Sequence, residues 1–342
     1  MKKKVLMFAM YDWANSGFKT SEAVNRCSDD YEVEYFAVNP HVFGYERGSN
    51  IILEKVDSKV YQNNEVVARL RKVLEKCDIM HFKGDEGVPK TVAEIEIDRL
   101  NKPVVWTVCG RVWEAKHSEL WDEYGKYTDA LLATTPDHLQ HGIEGTWMPL
   151  PIDVERYKPI PRADDCIVIQ HSTTAERKGT ELINQVFTGL YEEYSKVFCS
   201  IHSNIPFQLA MQLKRISHIF VDQINRYNIY ANSALEAMAI GAATVASCDW
   251  ADGITYATEK TLHGVLIELI ESPEKLLEAQ RLAREYAEQV HSYHAVSAKL
   301  CKVYDRVLKR GTVSDNSKVI GPPATVRQDT VSAYEKETKD DG

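Results

Sequence analysis

The stretch Asn228-Ile-Tyr-Ala-Asn232-Ser-Ala-Leu-Glu236-Ala-Met-Ala-Ile-Gly241 decides the fold. Its centre, Asn232 to Ile240, is built from Ala, Leu, Met and Glu, which favour helix, and Gly241 stands where a helix stops. Upstream, His218 to Val221 reads as a short buried strand; downstream, Ala243 to Ser247 reads as another. Strand, loop, helix and strand in this order make a βαβ unit of a parallel sheet. In such sheets ligands bind outside the carboxyl ends of the strands. A helix beginning there offers free N–H groups and a positive dipole end, which suit a diphosphate. Glu236, expected in the first turn, can accept hydrogen bonds from a ribose diol. The same charge in a first turn can cap the helix instead, so local chemistry admits both roles.

The alternation continues in both directions. Cys166 to Gln170 predicts a strand, Gly179 to Tyr194 a helix, Val197 to His202 a strand and Pro206 to Arg215 a helix. Met148-Pro-Leu-Pro-Ile-Asp153, with two prolines, predicts an extended linker. Before it, strands are expected at Val5–Met10, Val33–Val38, Cys77–Phe82, Pro103–Cys109 and Asp129–Thr134. Helices are expected at Lys19–Arg26, Glu65–Lys76 and Lys90–Leu100, with another starting at Pro136-Asp137. The chain therefore divides into an α/β half over 1–152 and a second over 153–284. Pro273 to Lys309 keeps helical spacing, with a break at His291-Ser-Tyr-His294. The polar tail 312–342 is expected to be disordered, because it has too little apolar surface to offset ordering.

The 342 residues are 44% hydrophobic and 27% charged, enough for two cores. The net charge of -9 disfavours a dedicated nucleic-acid binder. Seven cysteines, an odd number without a CxxC pair, argue against a disulfide framework or a zinc site, and fit small buried hydrophobes in a reducing cytoplasm. Lys2-Lys-Lys-Val5-Leu-Met-Phe-Ala-Met10 has too short an apolar run for a signal peptide and reads as a first strand. No run of 18 apolar residues predicts a membrane span.

Three further groups carry candidate chemistry. His171-Ser-Thr-Thr-Ala-Glu-Arg177-Lys178-Gly179-Thr180 lies between a strand and a helix, either as a phosphate-binding turn or as a solvated basic one. Asn15-Ser16-Gly17-Phe18 follows the first strand, as a ligand loop or an ordinary turn. It is not a GxGxxG fingerprint, which disfavours a dehydrogenase. His81-Phe-Lys-Gly84-Asp85-Glu86-Gly87 and Cys109-Gly110-Arg111 each follow a strand, and His81 reads as a site residue or as a structural histidine.

The segment ending at Gly241 resembles the donor-site motif of family 4 retaining glycosyltransferases, a Glu, seven residues, then a Glu within Leu-Glu-Ala-Met-Ala-x-Gly. The second Glu matches Glu236, which the resemblance implies holds the nucleotide ribose. The first falls on Asn228, placed at the sugar. Lys178-Gly179 match the family's diphosphate-binding pair; its Arg position falls on Thr173, with Arg177 nearby as a substitute. The family's His after a strand is replaced at Cys109, leaving His81 and Asp85, with Arg111, as the polar groups of that edge. Ser16 and Gly17 match a loop near donor phosphates and acceptor. Trp147-Met-Pro-Leu-Pro-Ile-Asp153 is similar to the interdomain segment.

The resemblance implies a GT-B architecture: two Rossmann-like domains with parallel sheets facing across a cleft. The acceptor side is 1–152, with 285–311 packing back on it, and the nucleotide-sugar side is 153–284. It implies a metal-independent transfer of sugar from a UDP- or GDP-linked donor with retention, needing no cofactor. His81, Lys178, Asn228 and Glu236 are the expected catalytic set. Ser16, Gly17, Asp85, Arg111, Thr173, Arg177, Asn232, Ser233 and Ala234 are the expected substrate contacts. The acceptor is left open among a glycan, a small molecule and modified nucleic acid.

Two other readings follow from the same residues. Asn228, Thr173 and Cys109 together suggest a catalytically degenerate relative that acts as a nucleotide-binding or scaffold module, with the tail 312–342 recruiting a partner. Lys83, Lys90, Arg111 and Lys116 suggest a locally basic cleft acting on modified DNA bases. Tyr11, Trp13 and Trp113 suit either the core or stacking on a sugar or base.

Overall fold

The computed structural model describes residues 1–310 except 41–42, 46–49, 57–58, 85–86, 90, 93–94, 98–99, 140–142, 174–177 and 226; side chains at 40, 54–56, 59–61, 91, 111–112, 114 and 310 are also outside the description. The tail expected to be disordered, 312–342, lies outside the described residues.

The first half runs β1 (Lys3–Asp12), α1 (Ser16–Cys27), β2 (Tyr31–Pro40), β3 (Leu53–Val56), β4 (Lys59–Gln62), α2 (Asn64–Lys76), β5 (Ile79–Lys83), β6 (Thr91–Val92), β7 (Ile95–Glu96), β8 (Val104–Val108), α3 (Arg111–Tyr124), β9 (Ala130–Ala133) and β10 (Thr146–Trp147). Six of these strands form one parallel sheet in the order β10-β9-β8-β5-β1-β2. The period-two pleat divides β1 between two cores: Leu6 and Phe8 meet α2 and α3 on one face, and Val5, Met7 and Ala9 point to the other.

The second half runs β11 (Ile167–Thr173), α4 (Thr180–Glu193), β12 (Val197–Ser203), α5 (Phe207–Ile216), β13 (Ile219–Val221), α6 (Asn232–Ala239), β14 (Ala243–Ala246), β15 (Ile254–Tyr256), α7 (Leu262–Glu271), α8 (Pro273–Tyr286) and α9 (Tyr293–Arg310). Its parallel sheet has the order β12-β11-β13-β14-β15. Phe220 joins the core beneath α5 and α6, while Ile219 and Val221 face α4 and α7.

The helical region at the end breaks where the histidines suggested. One π turn, Ala287–His291, is followed by Ser292 in an extended conformation. The break holds the linker: Ile152 N donates to His291 O at 2.8 Å, and Leu150 O lies 2.7 Å from His291 Nδ1. Beyond it α9 returns to the first domain, where Val296, Leu300, Val303, Tyr304 and Val307 pack against the open face of its sheet.

One expectation is corrected. The described residues of the stretch 90–100 form no α-helix: Thr91↔Glu96 and Val92↔Ile95 pair antiparallel. Val92, Ile95 and Ile97 are β-branched; Val92 and Ile97 are buried in the α2/α3 core and Ile95 packs partly buried against it, so strand preference and packing prevail over a spacing that helices share. Between β8 and β9 the chain forms α3, a helix with no counterpart among the expected elements, kinked at Lys116 (φ -133°). Trp113 of α3 is fully buried, meets Trp106 edge to face at 5.3 Å and donates to His138 O at 2.9 Å, so it is a core residue.

Candidate functional site

The carboxyl ends of both sheets border a cleft of about 230 Å³. Ala14, Phe43 and Tyr45 line it from the first domain, and Thr173, Lys178, His202, Phe207, Lys214, Asn232, Ser233 and Glu236 from the second.

Lys178 is positioned at both ends. Its carbonyl accepts from Ile224 N at 3.0 Å, and Gly179 beside it takes φ 74°, where a Cβ would lie 2.3 Å from Ile224 O. That position needs glycine. The Lys178 ammonium donates to Asp222 Oδ1 at 3.0 Å and Ser233 Oγ at 2.8 Å. Asp222, at the end of β13, is fully buried and also accepts from Ala231 N at 2.7 Å and Ser233 Oγ at 2.8 Å. Burial pushes its carboxyl up, but Lys178 and these hydrogen bonds outweigh burial and hold it below the usual carboxylate range. The start of α6 has no side-chain cap among the described residues, and its first two residues, Asn232 and Ser233, line the cleft with Lys178.

Glu236 is the fifth residue of α6, in the second turn. The expectation of a first-turn carboxylate is corrected, and with it the capping role. Oε2 accepts from Lys214 Nζ at 2.8 Å, and Oε1 lies 3.9 Å from Lys19 Nζ of α1. Oε1 is buried with no hydrogen-bond partner among the described residues. Lys19 lies over the rings of Tyr45 and Phe207, 5.2 and 5.4 Å from their centroids. Those rings stack at 4.3 Å, and Phe207 N donates to Phe43 O at 2.8 Å, so the domains touch at this end of the cleft. Burial pushes the Lys19 ammonium down, while Glu236 and Asp12 pull it up.

The other expected residues divide clearly. Thr173, Asn232 and Ser233 line the cleft with Lys178 and Glu236. Ala234 is fully buried in the core beneath. Ser16 and Gly17 are buried at the start of α1. Gly17 N donates to Asp12 Oδ1 at 2.7 Å, and a Cβ there would lie 2.7 Å from the Tyr35 ring. Ala14, at φ 53°, presents this loop to the cleft instead. Arg111 opens α3 after Gly110 (φ 88°), with its side chain outside the description. Asp85 and Arg177 lie outside the described residues.

Two members of the expected catalytic set are not brought into the cleft. His81 is 1% exposed, with Nδ1 2.7 Å from Tyr304 Oη and Nε2 2.6 Å from Thr107 Oγ1. It is sealed between the sheet and α9, and burial, with Lys83 nearby, pushes its ring down to about 3. Asn228 adopts φ 47°, donates to Asp249 Oδ1 at 2.9 Å and accepts from Asp249 N at 3.0 Å, and its carbonyl holds Trp250 Nε1 at 2.7 Å. An Asn suits that left-handed position better than a Glu. Of the basic residues considered for DNA, Lys83 is buried and Lys116 exposed, so these two form no shared surface; Lys90 lies outside the described residues.

Sequence reasoning missed Lys19, Lys214 and the role of Asp222. The signal for Lys214 was present: with Phe207 and Met211 it falls on the buried face of α5, where a lysine is out of place unless paired.

No family model matches the chain, and no curated protein matches it in sequence. Solved structures match it in shape. HepE of Anabaena in complex with UDP and glucose superposes with TM-score 0.58 at 12% identity, over 89% of this chain and 100% of that one. A glycosyltransferase from Rickettsia africae superposes with TM-score 0.58 at 10% identity, over 90% of this chain and 100% of that one. An alpha-glucosyltransferase in complex with UDP and a 13-mer DNA containing an A:G mismatch superposes with TM-score 0.59 at 10% identity, over 89% of this chain and 99% of that one. With its two parallel sheets, the chain has the GT-B fold, two Rossmann-like domains facing across a cleft.

Proposed function

We propose that this protein is a glycosyltransferase that takes a sugar from a nucleoside-diphosphate donor, with UDP as the nucleotide. The observation that carries the reading is the convergence of Lys178, Ser233 and Glu236 at the uncapped start of α6, on the strand-end side of the second sheet. The diphosphate lies against Lys178 and the first N–H groups of α6, and the ribose one helical turn on, against Glu236. As the sugar departs, charge grows on the diphosphate. A fixed ammonium and a helix dipole stabilise that charge without reorganising, and no metal is needed for this step. Transfer with retention fits this arrangement, with the leaving diphosphate taking the acceptor's proton. The structural relatives bound to UDP support the choice of nucleotide.

Titration calorimetry with UDP and uridine tests the reading. UDP should bind more tightly than uridine by at least tenfold, a margin that Lys178→Ala removes and that corresponds to about 1.4 kcal/mol. A chain that binds neither UDP nor another nucleoside diphosphate does not have this function. Incubation with UDP-glucose and NMR of the product's anomeric proton would establish retention.

A second reading, donor binding without transfer, draws on the pairing of Asn228 with Asp249 and the sealing of His81. Release of UDP from UDP-sugars, followed by a coupled assay, separates the two: turnover excludes the second.

A further inference from the structure

Glu236 is held from both sides of the cleft. Lys214 of α5 meets Oε2 at 2.8 Å, and Lys19 of the opposite domain approaches Oε1 at 3.9 Å. The side chains of Glu236, Lys214 and Lys19 are 5%, 2% and 12% exposed. Gathering three charges in so little water is unfavourable unless they compensate one another closely. Stability alone does not call for them, since an apolar residue at 214 would extend the buried face begun by Phe207 and Met211 with no desolvation cost. The arrangement is also incomplete. Oε2 is committed to Lys214, whereas Oε1 is buried without a hydrogen bond among the described residues, in a residue that lines the cleft. A buried acceptor in this state, in a residue that lines a cleft, has a lone pair to offer a ligand hydroxyl.

We propose that Lys214 and Lys19 are positioning residues of the nucleotide site. Lys214 fixes the carboxylate of Glu236 so that only Oε1 receives a ribose hydroxyl, and Lys19 makes that contact depend on the approach of the first domain. The inference rests on reading the cleft as a nucleoside-diphosphate site. It adds that the site reads one ribose hydroxyl, through one oxygen, and not the diol through two. Lys214 is itself held in place, its ammonium 5.4 Å from the Phe220 ring centroid and its stem enclosed by the core. Lys19 is flanked by Tyr45 and Phe207, which themselves join the two domains.

The test measures binding of UDP, uridine, 2′-deoxy-UDP and 3′-deoxy-UDP to the full chain and to Lys214→Arg, Lys214→Met and Lys19→Met. A hydrogen bond to a charged group sets the expected scale at roughly tenfold to hundredfold. The unaltered protein should lose at least about tenfold on one deoxy analogue and less than about threefold on the other. In Lys214→Arg and Lys19→Met this asymmetry should fall below about threefold, while the UDP-over-uridine ratio, which reports the diphosphate at Lys178, stays the same. Equal losses on both analogues, or an asymmetry that survives both substitutions, overturns the proposal. UDP binding without hydroxyl preference sinks this inference alone; absence of UDP binding sinks the functional reading beneath it as well. Lys214→Arg keeps the charge and Lys19→Met leaves the Lys214–Glu236 pair in place, so the test stands even where Lys214→Met fails to fold.

Discussion

Lys178 Nζ lies 3.0 Å from Asp222 Oδ1, so the cation proposed to meet the diphosphate is aimed by a fully buried carboxylate. Asp222→Asn keeps the shape and removes the charge that aims Lys178. UDP affinity should fall roughly tenfold, read by calorimetry. The pH dependence has a definite sign. Asp222 is held below its ordinary value, so its contribution to stability is complete above the unfolded pKa of about 4 and is lost as pH falls through the folded value. Acid denaturation curves of Asp222→Asn should lack this component.

Glu236→Gln should destabilise the fold by roughly 3–5 kcal/mol, because it leaves the Lys214 ammonium buried without its counter-charge. Adding Lys214→Met to it should recover most of that loss. Urea denaturation of the two single variants and the pair forms a double-mutant cycle. Additive effects would mean that the two groups are not coupled.

His81 and His291 are pushed by burial to about 3 and about 4. Both are bases whose folded values are depressed, so the unfolded chain takes up protons first as pH falls. Stability should be full above about pH 6.5 and decline below it by up to about 1.4 kcal/mol per pH unit for each histidine, until the folded values are reached. Melting temperatures between pH 7 and 4.5 should show the slope, and His81→Phe should reduce it. An unchanged slope in that variant would place the protonation elsewhere.

Asn228→Ala removes both hydrogen bonds to Asp249 and the residue type that tolerates φ 47°. A loss of roughly 1–3 kcal/mol is expected in denaturation. UDP affinity should change less than about twofold, since this amide faces Asp249 and not the cleft. A large drop in affinity with unchanged stability would return Asn228 to the ligand.

The amino-acid sequence by itself determined the alternation of strands and helices that builds two parallel sheets, and the nearness of Thr173, Lys178, Ser233 and Glu236 to strand ends. These properties are local. Period-two and period-3.6 spacings, the Gly179 turn and the apolar run after Asn232 act within a few residues of themselves. Lys178, Thr173, Ser233 and Glu236 therefore reach the cleft as their positions at strand ends and helix starts imply. What only the tertiary structure decided is which groups pair. His81 stands at a strand end like a site residue, yet Tyr304, 223 positions later, closes over it. Asn228 is drawn to Asp249 and not to the cleft. Lys19 and Lys214 meet Glu236 only because two separate domains and a helix packed under the cleft converge on it. Burial and ion pairing depend on what the folded chain brings within a few ångströms, and no spacing along the sequence carries that information.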